Sequence, residues 1–590
     1  MSGAGMVLSV AKEALLAQRG AIDIVSHNIA NVNTPGYSKQ TAILSAIAGS
    51  PYTGKVFGRG VSLDEILRNT DSFVENRLRE RRSELSSMQE KEIYMSTIEG
   101  LFSENTENGL STQLVDFWNA WYDLSNNPAG IPEREIIYER GVLLSQAFQS
   151  LSTDLTSMQQ EINHTLSSTL ENINELTGKI AQLNEQIVGM QVMGEANDLK
   201  DRRNQYVSQL AEYMNIKAYE HEDGNMTIST GRGYLLVCKA ENYQLSLEGD
   251  QIVWESSGTG TVNITDTITG GKLGGWLDVR DETIPKNQAD MDEMAKAIIW
   301  QINQTHSQGV GLKGFTSVTG TDAATNAAVA LGTAASGLDF YDKIQDGSFQ
   351  IWLYDSSGAL VGATSTAIPI DADVTTLNAL AADLTTIDTD LGAPNVFSAT
   401  VDVNNRLVLT AAGGYTFAFS GDTSNVPAAL GVNTFFTGDN AATIAMNPVL
   451  ALDKNLIAAG RVSASGEIAA GDNTNALVMS NLQYENTTIP RWTYERGETA
   501  ASSNVNGTIS AYLSSFESSI GIASQSAQRL TEFNQSIFNT LRQARDSVSA
   551  VSLDEEMTNL IKYQYAYTAA AKLVTTADQM LETLINMKAG

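Results

Sequence analysis

Residues 28–38 read NIANVNTPGYS and close the first helical segment. Upstream, Leu8, Leu15, Ile22 and Ile29 recur every seven residues, with Ala11, Val25 and Val32 three places after Leu8, Ile22 and Ile29. That is the a/d seam of a packed helix. The seam runs into Asn31, Asn33 and Pro35-Gly36, residues that stop helices and make turns, followed by Tyr37. Proline fixes φ and glycine supplies the positive φ of a type II turn, so a tight turn is expected at Pro35-Gly36.

The far end of the chain carries a matching pattern. Leu553, Leu560, Tyr567, Val574 and Leu581 recur at seven, and Tyr563, Ala570, Ala577 and Leu584 lie three residues after four of them. Ser552 and Glu555 have capping-box spacing before this run. Each end therefore has one apolar seam and cannot bury it alone. The simple solution is that the seams pack on each other, Leu8, Leu15, Ile22 and Ile29 facing Leu560, Tyr567, Val574 and Leu581, or on neighbouring subunits. Two ordinary core helices would show the same pattern.

Between the ends the chain goes out and comes back. A turn-rich connector with short strands is expected over 41–65, including the turn residues at 50–54. A long helix follows, with Asp71 or Thr70 as N-cap. Its Arg77, Arg79, Arg81 and Arg82 interleave with Glu75, Glu80 and Glu84, which reads as a solvated ion-paired face. Phe117-Trp118 and Trp121-Tyr122 precede the helix break at Asn126-Asn127-Pro128 and read as a core anchor. Leu166, Ile173, Ile180 and Ile187 set a strict seam in a helix over about 133–190, and a further helix is expected near 197–214. Strands and turns alternate from Tyr219 to Val237, helix returns over 272–306, and residues 315–450 are rich in Gly, Ala, Thr and Asp with strand alternation at Phe349, Ile351 and Leu353. A hairpin is expected at Asn404-Asn405 and a last helical stretch over about 500–545.

The expected fold class is α+β and multidomain, with coiled-coil-like terminal helices, a long-helix bundle and mostly β inserted outer domains. The inner terminal-helix domain comprises 1–65 and 546–590. The bundle comprises 66–215 and 455–545, with 272–306 returning to it; 216–271 is a β-rich segment and 315–450 an inserted outer domain.

The net charge of −31 argues against a nucleic-acid footprint, which needs a basic face. One cysteine, Cys238, excludes an intrachain disulfide. No run of apolar residues is long enough for a membrane helix, and Lys12 and Glu13 interrupt any secretory h-region, which taken alone points to the cytoplasm. No catalytic constellation survives. Gly309, Gly311 and Gly314 form a GxGxxG string after a helix rather than a strand, His221-Glu222 lacks the second histidine of HExxH, and Asp388, Asp390 and Gly392 miss the EF-hand pattern at Ala393 and Ala399. The four histidines, His27, His164, His221 and His306, are widely separated. No cofactor or metal site is expected, and the chain reads as a non-enzyme.

NIANVNTPGYSKQ resembles the N-terminal signature of bacterial flagellar axial proteins, the rod, hook and hook-associated families, with Lys39 where members often carry arginine. VSLDEEMTNLIKYQYAYTAAAKLVTTADQM, ANDLKDRRNQYVSQLAEYM and GGWLDVRDETIP are similar to the hook-associated protein 1 family. This resemblance implies a mechanical role: a ring-like layer of copies of the chain at the junction between hook and filament. It implies as partners the hook protein, the next hook-associated junction protein and a cytoplasmic flagellar export chaperone that covers the C-terminal stripe, with no nucleic acid and no membrane. It also implies an extracellular, flagellar location reached by type III export without a cleaved signal peptide. The seams at Leu8, Leu15, Ile22, Ile29 and at Leu553, Leu560, Tyr567, Val574, Leu581 would carry assembly, and Asn31, Asn33, Pro35, Gly36 and Tyr37 would shape the turn out of the inner tube. A rod or hook protein, or a flagellum-displayed binding or enzymatic domain in the insertion, are the competing readings.

Overall fold

The computed structural model describes residues 3–52, 55–103, 109–191, 194–256, 260–362 and 365–588. Its longer helices are α1 (Gly3–Ala30), α2 (Ser72–Leu101), α3 (Leu110–Asn126), α4 (Ile131–Gln191), α5 (Asn197–Tyr213), α6 (Gly271–Asp278), α7 (Ile284–Ser307), α8 (Leu377–Thr385), α9 (Thr474–Asn481), α10 (Ile509–Ser549) and α11 (Leu553–Lys588). A π-helical turn, Val279–Thr283, lies between α6 and α7. Strands fill small antiparallel sheets between them, so the architecture is α+β with long helices. Two compact units emerge: residues 1–93, 162–278 and 526–590 form the first, and 94–161 and 279–525 the second.

In the first unit α1 and α11 form the most extensively packed pair of elements. A hairpin, Gln40–Ala46 with Val61–Arg68, lies against α1. Thr53 and Gly54, part of the turn expected at 50–54, lie outside the described residues. Asp71 does cap α2: its Oδ1 accepts from the N–H groups of Phe73 and Val74. The arginines of α2 divide. Arg77 pairs with Glu80 and Arg81 with Glu84, both three residues on, and Arg82 with Glu212, whereas Arg79 is buried and donates to Asn76 and Asn204. The heptad positions Leu166, Ile173, Ile180 and Ile187 of α4 are all fully buried. Beside them Asn184 and Arg203 stitch α4, α5 and the following sheet together. Arg203 donates to the side-chain oxygen of Asn184, the carbonyl of Gly224 and the carboxylate of Glu220, and Asn184 donates to the carbonyls of Met226 and Lys239. A fully buried arginine is tolerable because its charge is met this way.

In the second unit the aromatic run of α3 is a core anchor. Phe117, Trp118 and Trp121 are buried, with Phe435 and Phe436 against Phe117, while Tyr122 is exposed. Strand Gly347–Tyr354 buries Phe349, Ile351 and Leu353 on one face. The opposite face is covered too, because Trp352 and Tyr354 pack on Val310, Ala418 and Val462. Strands Phe397–Val401 and Leu407–Ala411 form the hairpin expected at Asn404-Asn405, with Asn405 at φ 57. The last helical stretch starts later than its sequence suggests: Ala501–Gly507 is a strand paired with Thr487–Thr493, and α10 begins at Ile509 behind Thr508, whose hydroxyl accepts from Ala511 N–H.

Candidate assembly interface

The seam residues of α1 and α11 meet as an antiparallel pair, because Asn28 near the end of α1 contacts Glu556 near the start of α11. Small side chains are prominent among the buried residues of the two helices, α1 being covered by the hairpin as well as by α11. Ala11, Ala17 and Ala21 on α1 and Ala570 and Ala577 on α11 are buried. Small residues let backbones approach closely, so the larger heptad residues are pushed to the flanks. Leu15, Ile22, Ile29, Leu560, Val574 and Leu581 are half-buried, while Leu8, Leu553 and Tyr567 stand exposed; the side chain of Leu584 lies outside the description. The line facing α1 thus runs through Tyr563, Ala570 and Ala577 as much as through the leucines.

The turn beyond α1 is built as its residues dictate. Tyr37 N–H donates to Thr34 O at 3.2 Å across Pro35-Gly36, with Gly36 at φ +79. That is the type II geometry, and Asn33, Pro35 and Gly36 are exposed on it. Asn31 reaches back, its Nδ2 donating to His27 O, and its Oδ1 accepts from Thr34.

A buried polar clasp forms where this turn passes the start of α11. Asn28 is 1% exposed and every side-chain hydrogen-bonding site is used: Nδ2 donates to Gln40 O and Glu556 Oε2, both at 2.8 Å, and Oδ1 accepts from Tyr37 O–H and Gln40 N–H. Glu556, also 1% exposed, faces Lys39 Nζ at 3.4 Å, and Lys39 donates to Glu555 at 2.7 Å. Burial pulls the Lys39 ammonium down, but the bond to Glu555 and the charge of Glu556 hold it above its ordinary range. Glu555, the residue with capping-box spacing, is thereby committed to Lys39, which holds its carboxyl below the usual range. Burial, then the nearby Asp198, Asp201 and Glu556, push the Tyr37 hydroxyl up, so it stays a neutral donor. Next to it, Ser38 N–H and O–H both donate to the Asp201 carboxylate, which also faces Arg68 at 3.2 Å. Burial nonetheless leaves the Asp201 carboxyl raised. The clasp therefore ties five segments of one unit: the end of α1, residues 37–40, the start of α11, α5 and strand Val61–Arg68.

Asn28, Glu556 and Asp201 were not singled out by periodicity, since they are polar positions within or beside apolar runs. Only Glu556, three residues after Leu553, stands at a seam position; Asn28 and Asp201 carry no periodic signal.

The residues that resemble chemical motifs in the sequence make structural contacts. His306 Nδ1 donates to Asn433 O at 2.8 Å and its Nε2 accepts from Ala458 N–H at 3.0 Å, which fixes a neutral tautomer; burial pushes its pKa down to about 4. Gly309 and Gly311 sit where a Cβ would meet Asn475 and the Asn455 carbonyl, so that string serves close backbone packing. Asp388 accepts from the N–H groups of Val396 and Phe397. His221 bonds Thr227. Cys238 is free and half-buried at a strand end. Among the described residues no three His, Cys, Asp or Glu side chains are placed to share a metal ion, and no helix is long and apolar enough to cross a membrane.

Three family models match the chain. One described as the flagellar hook-associated protein FlgK helical domain covers residues 95–322. Flagella basal body rod protein matches 8–37, and flagellar basal body rod FlgEFG protein C-terminal matches 542–587. Axial-type matches at both clasped termini around a hook-associated helical middle define a structural component of the bacterial flagellum. The chain is 26% identical over 600 residues to the flagellar hook-associated protein 1 of Bacillus subtilis (strain 168), covering 99% of each. It is 25% identical over 594 residues to that of Escherichia coli (strain K12), covering 99% of this chain and 100% of the relative. Over nearly its whole length the chain is thus similar to flagellar hook-associated protein 1. The flagellar hook junction protein FlgK from Burkholderia pseudomallei aligns with a TM-score of 0.48 at 17% identity, over 80% of this chain and 100% of that one.

Proposed function

We propose that this chain forms the ring-like junction layer between hook and filament, assembling through its paired terminal helices. The observation that carries this reading is the outer face of α11. Met557, Ile561, Tyr565, Leu573, Met580 and Met587 all stand exposed, on a helix whose other face is already packed on α1. An apolar stripe of this length on a soluble chain marks a partner surface. Within the assembly the stripe meets neighbouring copies, the hook protein on one side and the next hook-associated junction protein on the other. Before export it is covered by a cytoplasmic flagellar chaperone, and the chain leaves through the type III apparatus with its N-terminus uncleaved. The chain acts mechanically, with no catalytic step and no cofactor. Deletion of the gene, with imaging of hooks and assay of the medium for flagellin, tests the reading. Bare hooks with shed flagellin are expected; missing hooks would indicate a rod or hook protein, and normal filaments would overturn the reading.

A further inference from the structure

Strand Ile216–Glu220 lies at the edge of its sheet, paired on one side only with Met226–Thr230. The ladder decides which backbone groups are taken. His221 N–H donates to Asn225 O and Gly231 N–H to Asn215 O. In an antiparallel pair the bonded residues alternate, so Lys217 and Tyr219 bond inward while Ile216 and Ala218 turn their N–H and C=O groups outward. Among the described strands none pairs with that outer side. It opens on a trough of about 630 Å³ walled on the far side by α2, with Phe73, Arg77 and Arg79 lining it. Ser83 Oγ and Arg79 Nε, in buried side chains of the same wall, have no hydrogen-bond partner among the described residues.

The same unit offers a second free edge. Strand Gly260–Asn263 is exposed at all four residues and pairs only with Gln251–Ser256. Ile264 N–H donates to Ile252 O, so Trp254 and Val262 form a bonded pair, and Thr261 and Asn263 face outward. Both edges thus present backbone groups at a two-residue spacing. Charge favours the pairing modestly: Arg77, Arg79 and Lys217 outnumber Glu80 and Glu84 in the trough lining, whereas Glu255 stands opposite Thr261 and Glu248 and Asp250 lie on the adjoining hairpin. Unprotected edges of this kind are sites of strand addition.

We propose that the trough receives strand Gly260–Asn263 of a second copy of this chain, running antiparallel to Ile216–Glu220 with Ala218 opposite Thr261 and Ile216 opposite Asn263. Each chain carries one edge of each kind, so the contact is heterologous and propagates around a ring or along a stack instead of closing a pair. The inference rests on the junction-layer role and supplies its lateral contact.

In this register Lys217 and Val262 become a non-hydrogen-bonded pair with Cα atoms about 4.5 Å apart, within disulfide reach. The test is the double variant Lys217→Cys with Val262→Cys in a Cys238→Ser background, expressed in the host in place of the natural chain. Oxidation of isolated flagella is expected to give a ladder of cross-linked oligomers that neither single variant gives. Intact filaments with only monomer after oxidation would overturn the strand docking and leave the junction role standing; the gene deletion judges that role separately. As a second variant, Ala218→Pro removes an outward N–H without touching the ladder to Met226–Thr230. It is expected to leave the purified monomer folded and to lower the amount retained on flagella several-fold. Unchanged retention would count against the docking.

Discussion

Asn28 and Glu556 are 528 residues apart in the chain and share a 2.8 Å hydrogen bond with both side chains buried. The bond fixes the register of the antiparallel α1–α11 pair, since sliding either helix by one turn would leave a buried carboxylate without its donor. A buried charge stripped of its partner is costly, which makes this contact a register pin for a pair whose alanine-centred interface would otherwise slide.

Asn28→Ala removes two donors and two acceptors that Gln40, Tyr37 and Glu556 rely on. The expected loss is about 3 kcal/mol for opening the clasp, set by the Gln40 and Tyr37 groups left without Asn28 and by the Glu556 carboxylate, which keeps Lys39 but loses its amide donor. Glu556→Gln keeps the shape, removes the buried charge and is expected to lose less than half as much. Hydrogen exchange along α11 checks both: early loss of protection in Asn28→Ala, modest loss in Glu556→Gln.

Gly36→Ala isolates a backbone effect. An added Cβ would meet Gln205 at an ordinary 3.7 Å, so space is not the obstacle; the φ of +79 is. The expected loss is about 1 kcal/mol, with Gly36→Asn recovering part of it because asparagine tolerates this region. Thermal unfolding of the two variants side by side gives the comparison.

Ala577→Leu overfills the α1–α11 contact, where Ala577 has no exposure at all. The expected cost is about 1–3 kcal/mol, in contrast to Leu581→Met on the half-buried flank, which is expected to be mild. Denaturant midpoints of the two variants distinguish a small-residue interface from a leucine seam.

The helices were legible in the residues, and the details of their contacts were not. Leu166, Ile173, Ile180 and Ile187 announce α4 because burial on one face needs a heptad repeat, and Asp71 announces α2 because a cap is a local requirement. The α1–α11 pairing could be inferred from two orphan seams. Which residues centre it could not, because close approach through Ala570 and Ala577 depends on the partner helix. Glu556 and Asp201 stayed hidden for the same reason: each acquires its role from a residue far away in the chain. Strand Ala501–Gly507 reads as polar because the hairpin it forms leaves most of it exposed, and so the residues alone do not mark where α10 begins.

Two groups in the second unit, the fully buried His306 and the half-buried Asp322, give opposing pH effects. His306, pushed down to about 4 by burial, is harder to protonate folded than unfolded. Its contribution is present above the ordinary histidine pKa near 6.5 and is lost as pH falls towards 4, about 2 kcal/mol by pH 5. Asp322, pushed up to about 7 by burial and then by Asp339 and Asp439, acts in reverse: protonation favours the folded state as pH falls through 7. The natural chain should therefore show a shallow profile between pH 7 and 5. Asp322→Asn removes the compensating group, and its urea midpoint is expected to drop across that interval. A profile as flat as that of the natural chain would count against this assignment.

The outer stripe of α11 offers the most direct test. Ile561 and Met580 are exposed, so Ile561→Asp with Met580→Asp should leave the monomer folded. In the host the account predicts folded, exported protein, bare hooks and flagellin shed into the medium, because the charges would be buried unpaired on assembly. Filaments of normal length grown on this variant would contradict the claim that the stripe carries assembly.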